Sequence, residues 1–216
     1  MLKYHIVPVT LYQQNACVLW CTETKEAVVT DPGGDLHLID QIIIDNDLIL
    51  QNILLTHGHF DHAGSAGDYA QQKNVKIIGP HREDMFWIEI LPDQYQRYGL
   101  PGKPKSFVPD KFLEEGDSYS FGNIKFDVFH CPGHTPGHIV FLNSENKLAI
   151  VGDVIFQGSI GRTDFPRGNH RELINSIRNK LFPLGDDIKF IPGHGPMSTF
   201  GEERISNPFV GDAVCN

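Results

Sequence analysis

The 216-residue sequence contains no Lys/Arg run, no C-x-x-C pair and no apolar stretch long enough to span a bilayer. Each absence removes a class of protein. With 18 basic against 27 acidic residues and a formal net charge of -9, the chain should show no general attraction to a phosphate backbone or an anionic lipid surface. Neither nucleic acid nor membrane is therefore an expected partner, and an anionic small molecule would need local positive charge from metal ions or single arginines. The four cysteines form no disulfide framework, and a chain of this length with 40% hydrophobic residues can bury a core without cross-links. Cys17 and Cys21, evenly spaced on one apolar run, read as small buried thiols. The opening M-L-K-Y-H-I-V-P-V-T has neither the long apolar segment nor the cleavage site of an export signal, so a reducing cytoplasm is the expected compartment. No repeat or low-complexity tract divides the chain, and one domain over residues 1–216 is expected.

Short runs rich in β-branched residues predict strands at His5–Val9, Val18–Cys21, Ala27–Thr30, Ile53–Thr56, Val75–Ile78, Ile124–Phe129, Ile139–Leu142, Leu148–Val151 and Lys189–Ile191. Helical spacing appears at Leu36–Asn46, Ser65–Lys73 and His170–Phe182, the last with Leu173, Ile174, Ile177 and Leu181 on one face. Closely spaced early strands imply hairpins, and later strands alternate with helices. The pattern fits an α/β chain of two mixed sheets sandwiched between helices better than one parallel sheet. Leu91–Pro109, punctuated by Pro92, Gly99, Pro101, Gly102, Pro104 and Pro109, reads as a long surface loop bordering a pocket.

The decisive segment is T-H-G-H-F-D-H-A-G, Thr56–Gly64, directly after the apolar run Ile53–Leu55. It places four metal-competent side chains, His57, His59, Asp61 and His62, within six residues, a density that packing does not explain. His57 and His59 alternate in an extended segment, so both rings can point one way, while Asp61 and His62 follow where the chain turns toward a helix and can reach a second ion. Three further candidates each follow a predicted strand: His134 in C-P-G-H-T-P-G-H, Asp153 in V-G-D and His194 in I-P-G-H-G-P. The preceding Gly133, Gly152 and Gly193 permit the sharp turns that would aim them into one cleft. Five imidazoles and two carboxylates without a thiolate suit two divalent ions, zinc first and iron or manganese as alternatives, in an open catalytic site instead of a closed structural one.

This motif series, T-H-G-H-F-D-H, then G-H, G-D and G-H, resembles the metallo-β-lactamase superfamily over nearly the whole chain. G-D-V-I-F-Q-G-S-I-G-R-T-D-F-P-R-G and the ending I-P-G-H-G-P-M-S-T-F-G-E-E-R-I-S-N-P-F are similar to short, single-domain bacterial type II glyoxalases, the hydroxyacylglutathione hydrolases. The resemblance implies a four-layer αβ/βα sandwich and a metal-dependent hydrolase that cleaves S-D-lactoylglutathione, or a related hydroxyacyl-glutathione, to glutathione and the hydroxy acid. It implies His57, His59 and His134 on the first ion, Asp61, His62 and His194 on the second, and Asp153 between them, with Asp61 also orienting the attacking water. Asp31, in V-V-T-D-P-G-G, would support the site without binding metal. Arg162 falls where longer relatives carry a lysine that contacts glutathione, and is the candidate carboxylate clamp. The sequence lacks a counterpart of those relatives' C-terminal helical domain, which supplies basic residues to the glutathione moiety. His5, His37, His81, His130, His138 and His170 are assigned no metal: His138 is expected to begin the next strand, and His130 to pack or hydrogen-bond nearby.

Two rival readings stand beside the hydrolase. An Fe(II)-dependent persulfide dioxygenase of a related branch would use His57, His134 and Asp153 as a facial set, although the P-G-H-G-P around His194 resembles the glyoxalase branch. A non-catalytic metal-binding scaffold must explain why all seven ligand positions are filled. A β-lactamase reading is disfavoured by Asp, not Cys, at position 153 and by the opening segment, and a nuclease reading by the acidic charge.

Overall fold

A computed structural model describes residues 1–100 and 102–214. The first sheet is formed by β1 (Leu2–Val9), β2 (Gln14–Cys21), β3 (Glu26–Thr30), β4 (Ile49–Leu54) and β5 (Lys76–Ile78), in that spatial order. β1, β2 and β3 pair antiparallel through tight hairpins, whereas β4 and β5 join in parallel after helical crossovers. Those crossovers contain α1 (Leu36–Asp45), a short α2 (Phe60–Ala63) and α3 (Ala66–Lys73). Next come α4 (Met85–Glu89) and α5 (Leu91–Tyr98), then β6 (Ser118–Phe121), β7 (Ile124–His130), β8 (Ile139–Asn143) and β9 (Leu148–Gly152). A small hairpin, β10 (Ile155–Phe156) with β11 (Ser159–Ile160), precedes α6 (His170–Asn175). The chain closes with β12 (Lys189–Pro192), β13 (Ser198–Thr199) and α7 (Phe200–Ser206). The second sheet has the order β13-β12-β9-β8-β7-β6, with β12 parallel to β9 and the remaining pairs antiparallel.

The period-two alternation of strand side chains builds the layers. On β2, Cys17, Leu19 and Cys21 face the second sheet, while Ala16, Val18 and Trp20 face helices α1 and α3 through Ile39, Ala66 and Tyr69. Both faces are covered, and all eight β2 residues are buried. The second sheet repeats the device: Ile139, Phe141 and Ile150 point between the sheets, and Val140, Leu142 and Val151 pack outward on Leu173, Ile177 and Phe200. The expected four-layer sandwich of two mixed sheets is therefore observed, as are Cys17 and Cys21 as buried thiols.

The expected loop Leu91–Pro109 is corrected in its first half. Leu91–Tyr98 is helix α5, because Pro92 occupies the first turn, where a missing N–H costs nothing, and Gly99 at φ 63° ends it in the left-handed region. Leu91 and Gln94 are buried on its inner side, and Tyr95 and Tyr98 face the cleft, so the segment does border a pocket. Pro101, which also carried the loop expectation, lies outside the described residues.

Parallel pairing also positions functional residues. Thr30 lies beside Leu54 and Gly152 beside Pro192, so the chain leaves β3 and β4, and β9 and β12, at one edge of the sandwich. The Ile139 amide donates to the Thr56 carbonyl at 2.9 Å and joins the two sheets there. Phe141 is fully buried between the sheets. Truncation to Ala should lower unfolding free energy by about 3–5 kcal/mol, read from urea titration; a loss below about 1 kcal/mol would contradict this packing.

Candidate metal centre

Seven side chains from four strand-end segments meet at that edge. His57 and His59 leave β4, and Asp61 and His62 sit on α2. His134 follows β7, Asp153 follows β9, and His194 follows β12. Asp153 is central: its carboxylate oxygens lie 3.3 Å from His62 Nε2, 3.5 Å from His134 Nε2 and 3.7 Å from His194 Nε2. His194 Nε2 is 3.2 Å from Asp61 Oδ2, and His134 Nε2 is 2.9 Å from His59 Nδ1. Three overlapping groups suited to a cation result, His57/His59/His134, Asp31/His57/His62 and Asp61/His62/His194, each with its ligand atoms within 4.8 Å of one another. The first and third have the membership that the family resemblance implies, and Asp31 enters the second although it was expected only to support the site.

Two glycines allow the close approach. A Cβ on Gly193 would stand 2.1 Å from Asp153 Oδ1, and Gly152 adopts φ 48° with Thr56 Oγ1 and His138 Nε2 within 2.7 Å of where its Cβ would be. Asn15 secures the Gly193 turn to β2, its amide donating to the Gly193 carbonyl at 2.7 Å and its side chain to the Pro192 and Gly195 carbonyls.

Hydrogen bonds on the far side of each ring decide which nitrogen faces the cluster. The Thr56 hydroxyl donates to Asp31 Oδ2 at 2.6 Å, so it can only accept from His57 Nδ1, 3.0 Å away. That places the His57 proton on Nδ1 and leaves a lone pair on Nε2. His62 Nδ1 donates to Asp31 Oδ2 at 3.0 Å, His134 Nδ1 to the Arg162 carbonyl at 2.7 Å, and His194 Nδ1 to the Tyr12 carbonyl at 3.1 Å. In all four rings the second nitrogen is fixed by a protein acceptor and Nε2 is directed inward, the arrangement that metal-ligating histidines adopt. His57 Nε2 and His59 Nε2 are buried with no hydrogen-bond partner among the described residues. Such orphans are costly in a native interior, and a cation satisfies them together. The donor set therefore fits a pair of divalent ions.

Electrostatics divide the rings into two sets, with His57, His59 and His134 shifted down by burial and His62 and His194 shifted up, against burial, by neighbouring carboxylates. Burial, reinforced by neighbouring imidazoles, holds His57 and His59 well below the usual histidine value, in the neutral form a cation requires. Burial also opposes a proton on His62, but Asp153 and Asp61 outweigh it and hold that ring well above the usual range. Burial opposes charge on Asp153 too, yet His62 above all keeps its carboxyl well below the carboxylate range.

Two supports, Asp84 and His138, are not among the expected site residues. Asp84, fully buried in a short helical turn, accepts from the Gly58 amide at 2.9 Å, the Thr135 hydroxyl at 2.7 Å and the Gly137 amide at 2.5 Å. It thereby ties the loop of His57 and His59 to the loop of His134. Burial raises its pKa to about 6, against these three hydrogen bonds. His138, just before β8, stacks on His57 at 4.6 Å, and its Nε2 accepts from the Asp153 amide at 3.0 Å, so it braces the centre from behind. His130 bonds the Pro136 carbonyl at 2.8 Å and stacks on His81 at 4.1 Å, well outside the cluster. Asp31 adopts φ 49° and accepts from the Thr56 amide at 2.8 Å as well as from the groups above.

The cluster opens into a cavity of about 510 Å³ bordered by Tyr12, Trp87, Tyr98, Arg162, Phe165 and His194. Arg162 does reach this cavity, but its guanidinium is forked onto Asp164, with Nε at 3.0 Å and Nη2 at 2.8 Å, and stacks on Phe165 at 4.5 Å.

A fold of two mixed sheets with a His/Asp cluster at one edge defines a class of metallo-hydrolase, and the chain belongs to it: the metallo-beta-lactamase superfamily model matches residues 9–194. Within that family the chain is similar to the hydroxyacylglutathione hydrolase GloC of Haemophilus influenzae, at 49% identity over 97% of this chain and 98% of that one. Among solved structures, the B3 metallo-beta-lactamase BLEG-1 superposes with a TM-score of 0.87 at 35% identity, covering 96% of this chain and 99% of that one. TTHA1623 in a di-iron-bound form gives 0.85 at 34% identity, covering 95% and 99%.

Replacing Asp84 by Ala removes the acceptor of two loop amides and one hydroxyl. Retained metal after dialysis against a chelator should fall about 10–100-fold in apparent affinity, with a lower melting temperature. Wild-type retention in a folded Asp84→Ala protein would show that the brace does not orient the ligands.

Proposed function

We propose that this chain is a metal-dependent thioester hydrolase of glyoxalase II type, acting on S-D-lactoylglutathione or a related hydroxyacyl-glutathione. The observation that carries the reading is the convergence of the inward-facing Nε2 atoms of His62, His134 and His194 on Asp153 at the floor of an open cavity. Identity to a hydroxyacylglutathione hydrolase along nearly the full length supports the substrate class. The whole chain acts as one domain in this proposal.

His57, His59 and His134 would hold one cation, Asp61, His62 and His194 the other, and Asp153 would lie between them. The di-iron form of TTHA1623 supports iron beside zinc as a candidate. When bound, the ions supply a water acidic enough to attack at neutral pH and positive charge against the developing oxyanion. Asp61, at the cavity face beside His194, orients that water toward the thioester carbon. Water oxygen bonds to the acyl carbon, the C–S bond breaks, and sulfur departs with its electron pair as a thiolate. The water protons pass to the carboxylic acid product and the medium. A thiol with a reference pKa of about 8.5 leaves without a dedicated acid, which suits a cavity wall made largely of aromatic side chains. Arg162, already oriented by Asp164, offers its remaining N–H edge to a carboxylate of the thiol arm.

Purified protein should contain two metal ions per chain and hydrolyse S-D-lactoylglutathione, with activity lost on chelation and restored by metal. Asp153→Ala should lose both metal and turnover while circular dichroism remains native. Full turnover in that folded variant would refute the assignment, and oxygen consumption with glutathione persulfide in place of thioesterase activity would favour the dioxygenase reading.

A further inference from the structure

Beside the cavity just described lies a second lobe of about 450 Å³, and the two share Tyr12, Phe60 and Asp61. From a reacting carbon over Asp61 and Asp153, the second lobe lies beyond the Tyr12–Phe60 ring pair, whose centroids are 5.1 Å apart, with Asp61 bordering both lobes. The lobes differ in chemistry. The first contains Arg162 and is where an anionic arm finds its positive charge. The second carries Leu11, Tyr12, Phe60, Tyr95 and Leu100, and its nearby ionisable groups, Asp35 and Asp61, are acidic and repel a carboxylate.

Three polar groups of the second lobe are engaged by the protein. Thr10 Oγ1 accepts from the Tyr12 amide at 3.2 Å, Asp35 Oδ2 accepts from the Thr10 amide at 2.7 Å, and Ser65 Oγ donates to the Gly33 carbonyl at 3.3 Å. By contrast, Leu11 stands at the tip of the β1–β2 turn with 94% of its surface exposed, next to the half-exposed Tyr12. A large apolar side chain left in water at a cavity rim gains stability only when something apolar covers it.

We propose that this second lobe is the acyl subsite, and that it selects 2-hydroxyacyl groups bearing a bulky apolar substituent over the small lactoyl group. This assignment rests on the hydrolase reading above. The thiol arm, which is anionic, takes the Arg162 lobe. The acyl arm, which carries no charge in the thioester, takes the lobe of Leu11, Tyr95 and Leu100. A lactoyl methyl leaves most of such a space filled with water, whereas an aromatic or branched substituent displaces that water and covers Leu11.

The test compares S-D-lactoylglutathione with S-(D-2-hydroxy-3-phenylpropanoyl)glutathione, which adds one phenyl group to the lactoyl methyl and leaves the reacting carbon unaltered. The metal-loaded wild type should hydrolyse the phenyl compound with a kcat/KM at least equal to that for lactoyl. Leu11→Asp and Leu100→Ser should each lower the phenyl-to-lactoyl ratio of kcat/KM about tenfold, chiefly through KM. As a readout independent of turnover, D-phenyllactate should inhibit more tightly than D-lactate, and the difference should disappear in both variants. Leu11 contributes nothing to the core, so Leu11→Asp should keep the wild-type melting temperature. Lactoyl turnover with rejection of the phenyl compound, or an unmoved ratio in the folded variants, would overturn the subsite while leaving the hydrolase reading intact. Failure to hydrolyse either thioester would remove the hydrolase reading and the subsite together.

Discussion

Five imidazoles and two carboxylates held within a few ångströms of one another, mostly out of water, set the constraint on which the rest of the structure depends. The inward nitrogens of His57 and His59 have lost their hydration, and imidazoles this close disfavour one another's protonation. Such a cluster is tolerable only if every ring is held in one tautomer and one orientation. Asp31, Thr56 and the carbonyls of Tyr12 and Arg162 do this for His57, His62, His134 and His194 by occupying their outer nitrogens, while His59 Nδ1 faces His134 Nε2. Ligand atoms on the inside and hydrogen-bond acceptors on the outside form one system.

The backbone departs from its preferred conformations where this system requires it. Asp31 is a non-glycine residue in the left-handed region, at a cost of roughly 1–2 kcal/mol. The same conformation turns its carboxylate back onto Thr56 and His62, where charge-assisted hydrogen bonds offset that cost. Asp84 has no left-handed strain, yet it is fully buried and joins two ligand-bearing loops through backbone amides. Both acids act on geometry, at positions from which they cannot reach a substrate.

The acidic surface and the anionic substrate class are reconciled locally. An overall charge of -9 gives no long-range attraction to an anionic substrate; in the proposed reading, affinity comes from the cations, from Arg162 and from apolar contact. An arginine-bearing lobe and an apolar lobe lie side by side, and Asp61 borders both.

Residue types and their local spacing were sufficient for the layered α/β sandwich and for the metal-competent set His57, His59, Asp61, His62, His134, Asp153 and His194. Alternating hydrophobicity encodes which strand face is buried, and a dense H-x-H-x-D-H run has no economical packing explanation. Helix α5 was missed because proline in a first turn and glycine at a C-terminus look, in a linear reading, like loop punctuation. The inward nitrogen of each ring, the Asp84 brace, the support from His138 and the second lobe were settled by tertiary structure alone. The reason is distance along the chain: the partner of His194 Nδ1 is the Tyr12 carbonyl, 182 residues away, and hydrogen bonds of that kind leave no periodicity for a sequence to display.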